Sequence, residues 1–158
     1  MKTFTDNTGR SWTIAVNVEA IKRVKSLLAI NLLDAVEGKL IEQLVDDPVL
    51  LCDVIYVLCK PQADAASVTD EDFGRAMAGD AIEAATTALL EELADFFPRG
   101  RRELLQKALA KLKVFEAKVL EAAAARLDSP ELDRRLQETI AGGLSGNLPE
   151  SSESTPAP

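Results

Sequence analysis

Three acids stand in a row in VTDEDFGRAMAGD, residues 68–80, and they are the first residues to test for chemistry. A calcium loop starting at Asp70 would have Asp72 at its third position. Gly74 would then fall where an oxygen ligand is needed, Arg75 where the obligatory glycine sits and Ala81 where a bidentate glutamate closes the cage. The template fails, and a helix start fits instead. Thr69 is placed as N-cap with Asp72 at N3, a shorter relative of the usual glutamate. Val68 and Phe73 stand at the two positions of a hydrophobic staple, and the acids complement the positive end of the helix dipole.

Other candidate chemistry is sparse. The chain has 158 residues and no histidine, which removes imidazole bases, histidine triads and histidine metal ligands. Cys52 and Cys59 lie seven residues apart in an apolar run. On one helix they would be about 10 Å apart, too far for a disulfide. No CxxC or further thiol completes a zinc site, so both are read as small core residues of a reducing cytosol. Neither GxxxxGK[ST] nor GxGxxG occurs, and GxSxG is missing too. Carboxylate pairs are common but fall on helix faces of solvated type. No catalytic residue, cofactor or metal is therefore expected, and the chain is read as non-enzymatic.

Charge is distributed in blocks. Net charge is −8, which argues against a nucleic-acid partner or an anionic membrane surface. Residues 61–97 hold nine acids and one base (net −8), whereas 98–126 hold eight bases and three acids (net +5). Acids Glu91, Glu92 and Asp95 close one helical pattern, and Arg99, Arg101 and Arg102 open the next. Each set lies at the helix end its dipole disfavours. Folding back at Pro98–Gly100 would let them pair, in an antiparallel αα-hairpin. The rival use of the basic 98–118 face is an acidic partner.

The elements that would position these residues are mostly helical. Hydrophobic residues make up 47% of the chain and aromatics 4%, so a core of Leu, Val, Ile and Ala is expected. TFTDNTGRSWTIAV reads as a β-hairpin, with Trp12, Ile14 and Val16 alternating and Gly9 supplying a positive φ. Asn17 caps a helix whose stripe is Val18, Ile21, Val24 and Leu28, with Lys22, Arg23 and Lys25 on the solvated side. A second helix is predicted over 32–45, weakened but not broken by Gly38. A third, 48–60, is apolar nearly all round, capped by Asp47 with Pro48 at its first position, and ends at Lys60-Pro61. Residues 61–68 read as a connection.

A long helix is then predicted over 70–97, with Phe73, Met77, Ile82, Leu89, Leu93 and Phe96 inward and Gly74 and Gly79 marking a close contact or bend. A fifth spans 101–127. Its Leu105, Ala108, Leu112, Phe115, Val119 and Ala122 form an a/d seam. A short last helix from Ser129-Pro130 carries Leu132, Leu136 and Ile140 and stops at Gly142-Gly143. The fold class is thus mainly α: a small helical domain with an N-terminal β-hairpin, a long αα-hairpin and a disordered C-terminal tail. The division is 1–97 as hairpin plus helical core, 98–141 as an extension packing back on the core, and 142–158 as tail. The opening MKTFTDNTGR is polar and no apolar run reaches the ~18 residues that span a bilayer, so a cytoplasmic protein is expected.

In this order, FTDNTGRSWTIAV, IKRVKSLLAINLLD, VDDPVLLCDVIYVLCKPQA and VTDEDFGRAMAGDAIEAATTALLEELADFFP resemble the tail assembly chaperones of long-tailed bacteriophages and prophages, over residues 1–112. The resemblance implies a non-enzymatic assembly factor that binds the aggregation-prone helical tape-measure protein and helps recruit tail-tube subunits. It would act in the cytoplasm of the bacterial host and be absent from the mature virion. Such a role needs apolar helix faces that exchange between self-packing and a client helix. The candidates are Phe96, Phe97, Leu105, Leu112 and Phe115, beside Arg99, Arg101 and Arg102. The partners expected are the tape-measure and tail-tube proteins, with a homo-oligomer left open. The alternative is a helical adaptor or regulatory protein that takes an acidic partner through the 98–118 face.

Overall fold

A computed structural model describes residues 1–144. The chain is mainly helical behind an N-terminal antiparallel hairpin, and it divides into a compact unit, Met1–Lys111, and a second that starts at Leu112. The predicted disordered tail lies outside the described residues from 145 onward.

In the hairpin, β1 (Lys2–Thr5) pairs with β2 (Ser11–Ile14), Phe4 opposite Trp12. The period-two pattern does what it predicts: Phe4, Trp12 and Ile14 are all buried. Gly9 takes φ +83° in the turn. The turn is organised by a buried carboxylate that its sequence does not advertise. Asp6 accepts from the backbone N–H of Thr8 (2.8 Å) and Arg10 (3.0 Å), the Thr8 hydroxyl (2.7 Å) and the Trp12 indole N–H (2.8 Å).

Asn17 caps α1 (Val18–Leu28) by accepting from the Ala20 N–H at 2.9 Å. Ile21 and Val24 are buried, but Val18 is exposed, so the stripe is narrower than predicted. Arg23 is not on a solvated face. It pairs with Glu19 at 2.6 Å and reaches the Val57 carbonyl at 3.4 Å. Gly38 does break the second helix: with φ +86° it separates a 3-10 turn, Leu32–Glu37, from α2, Lys39–Asp46. That left-handed backbone suits glycine, and it reverses the expected continuity.

Asp47 caps α3 (Pro48–Leu58) by accepting from the N–H groups of Val49 and Leu50, both at 3.0 Å. This helix touches α1, α2 and the later helix Asp80–Phe96 and buries Leu51, Val54, Ile55, Val57 and Leu58, the central position its apolar sequence predicts. Lys60-Pro61 does not end helical structure. Pro61 sits in the first turn of α4 (Lys60–Ala65), where its missing N–H costs nothing. Residues expected as a plain connection are therefore partly helix.

Thr69 caps α5 (Asp70–Arg75) as predicted, accepting from the Asp72 N–H at 3.1 Å, while its hydroxyl donates to the Asp72 carboxylate at 2.9 Å. Val68 and Phe73 are both buried at the staple positions. The single helix predicted over 70–97 is two, α5 and α6 (Asp80–Phe96), parted at residues 76–79. Gly79 takes φ +55° there, and a side chain placed on Gly74 or Gly79 would meet nothing within 4 Å. Gly79 serves the turn, Gly74 lies within α5, and neither marks a close contact. Asn7 holds the turn from across the hairpin, its backbone N–H on the Ala76 carbonyl and its side-chain amide on that of Ala78, each at 3.0 Å. Helix α6 lies against β1 and buries Ala81, Ala85 and Ala88.

The final helices are α7 (Arg99–Leu127) and α8 (Pro130–Leu144). Helix α8 runs through Gly142 and Gly143 to Leu144 and does not stop at the glycine pair.

Candidate functional site

The charges around the α6–α7 break are not paired as predicted. Strand β1 runs beside α6, so Lys2 meets Glu91 at 3.2 Å and Asp95 at 3.9 Å, and the Met1 amino group lies 2.9 Å from Glu92. Glu92 is buried and also accepts from the Val16 N–H at 3.3 Å. The acids at the end of α6 are thus answered by the hairpin. Arg99 pairs with Glu103 one turn along at 3.0 Å, and Arg102 donates to the Phe97 carbonyl at 3.3 Å. Among the described residues Arg101, Lys107, Lys111, Lys113 and Lys118 have no carboxylate within ion-pair distance.

The apolar candidates divide in two. Phe97 and Leu105 are buried core residues, so they present no ready surface. Phe96 is half-buried with its ring edge-on to Phe97, centroids 5.4 Å apart. Leu112 is half-buried, while Phe115 stands 65% exposed. Val119 is exposed one turn further on, as are Val114, Leu120 and Leu127 on α7 and Leu136 and Ile140 on α8. A phenyl ring that open to water, beside other exposed apolar side chains on α7, marks a candidate contact face. The seam was visible in the 3-and-4 spacing. Its exposure was not, because spacing marks an apolar face without saying what covers it.

Two thiols and a surface groove are the other groups to place. Burial pushes the Cys59 thiol up to about 12, and it lies 3.7 Å from the Thr13 carbonyl. Burial also raises the Cys52 thiol, helped by the charges of Asp53 and Asp70, so neither thiol is primed as a thiolate. A wide, shallow groove between β1 and α6 is lined by Lys2, Thr3, Asp80, Glu83, Thr87 and Glu91. Among the described residues no three Cys, Asp or Glu side chains converge to hold a metal ion, and no helix is long and apolar enough to cross a membrane. Set against known protein families, curated proteins and solved structures, the chain matches none.

Proposed function

We propose that this chain is a non-enzymatic tail assembly chaperone of a long-tailed phage or prophage, which binds and solubilises the tape-measure protein and helps recruit tail-tube subunits. The observation that carries the reading is the exposed seam of α7, where Leu112, Phe115 and Val119 offer an unfilled apolar stripe along one helix face. A long helical client presents its own apolar stripe at the same 3-and-4 spacing, and helix-on-helix docking covers both. Co-expression tests it. The tape-measure protein should be the product of a very long helical reading frame just downstream, and its soluble fraction should rise when this chain is made with it. An unchanged soluble fraction would count against the reading.

A second reading draws on bases of α7. With the acids of α6 engaged by the hairpin, Arg101, Lys107, Lys111, Lys113 and Lys118 have no carboxylate partner among the described residues, and an acidic partner would supply one, as an adaptor or regulator would require. Reversing Arg99, Arg101 and Arg102 to glutamate separates the two: an adaptor loses its partner, while a client held by the apolar stripe stays soluble.

A further inference from the structure

The seam of α7 has flanks as well as a stripe. With Leu112 and Val119 at a and Phe115 and Ala122 at d, Lys111 and Lys118 occupy g and Glu116 and Ala123 occupy e. In a parallel pair of helices each g residue faces the e residue five positions further along the other chain. Lys111 then meets Glu116, and Lys118 meets Ala123. Every facing pair is complementary or neutral. In an antiparallel pair the g rows face each other, which sets lysine against lysine. Among the described residues Lys111 and Glu116 have no ion-pair partner within the chain, so both are available.

We propose that the α7 seam is a self-association surface closed by a second copy of this chain in parallel, with Lys111 of each copy paired to Glu116 of the other. The stripe is short, because Leu105 is committed to the core at one end and Arg126 takes the next a position at the other. The dimer is accordingly weak and concentration-dependent, suited to a face that a client displaces. The inference does not depend on the chaperone reading.

Sedimentation equilibrium on the purified full chain tests it with no client present. Wild type shows a monomer–dimer equilibrium, and Phe115→Glu is monomeric throughout. Lys111→Glu and Glu116→Lys each weaken the dimer about tenfold, since two exposed pairs become repulsive. The double variant K111E/E116K restores wild-type affinity with the pair reversed. Far-ultraviolet circular dichroism confirms that each variant keeps its helices. A wild-type chain that stays monomeric, or a dimer indifferent to Phe115→Glu, overturns the proposal. So does a dimer strengthened by Lys111→Glu, which is the signature of antiparallel pairing.

Discussion

The unit Met1–Lys111 and the helices from Leu112 onward use apolar residues at similar helical spacings, with opposite outcomes. In the first, Leu44, Leu51, Ile55, Leu89 and Leu93 are all shut away from water. In the second, Phe115, Val119, Leu136 and Ile140 are all open to it. The difference lies in composition as much as in position. The first unit gathers three of its aromatic residues around one point, where Phe73 packs edge-on to Trp12 at 5.1 Å and against Tyr56 at 5.5 Å. Helices α1, α3 and α5 there are short and capped by Asn17, Asp47 and Thr69. Helix α7 instead runs 29 residues without a turn and is rich in alanine and lysine. Helical propensity sustains such a segment where packing contributes little. The lesson is that the same apolar spacing closes a core in one region and leaves side chains open to water in the other.

Truncation should break this contrast if it is wrong, and the largest effect belongs to the aromatic cluster. Phe73→Ala empties a fully buried site and should cost about 3–5 kcal/mol in denaturant unfolding. A cost below about 1 kcal/mol would mean that the cluster is not central.

Asp6 gives the next largest effect. Burial raises the pKa of its carboxyl, but hydrogen bonds from Thr8, Trp12 and Arg10 outweigh that and leave it below the usual aspartate value. Asp6→Ala leaves the Trp12 indole N–H unpaired in the core and should cost about 1–3 kcal/mol. Because the folded pKa is the lower one, this contribution is complete above the unfolded value near 3.9 and is lost as pH falls through the folded value. Unfolding followed between about pH 5 and pH 2 should show the wild type losing stability more steeply than Asp6→Ala. Parallel curves would show that Asp6 carries no such linkage.

The cap of the central helix sharpens the comparison at smaller scale. Asp47→Ala removes the acceptor for two N–H groups of α3 and should lower stability by about 1 kcal/mol in the same unfolding measurement. An exposed residue of α8 such as Ile140, cut to alanine, should change it by less than about 0.5 kcal/mol.

What could be read from the sequence follows the same division. The caps at Asn17, Asp47 and Thr69, the staple at Val68 and Phe73 and the alternation of the hairpin are local, and local chemistry decides them. Gly38 and Gly79 were harder, because a glycine inside a helical pattern is compatible with continuing or turning, and only the backbone conformation settles which. The engagement of Glu91, Glu92 and Asp95 by Met1 and Lys2 spans most of the first unit's sequence, and no spacing rule reaches that far. Of the candidate site, Leu112 and Phe115 stood out by period. Leu105 shared that period and yet belongs to the core, as does Phe97, which no period marked.

The central claim is that the α7 stripe serves a client and not the fold, and Phe115→Glu with Val119→Glu tests it most directly. The soluble fraction of the co-expressed tape-measure protein should fall to the level seen without this chain, although the variant itself stays folded. A client that remains as soluble with the double variant as with the wild type would contradict the account.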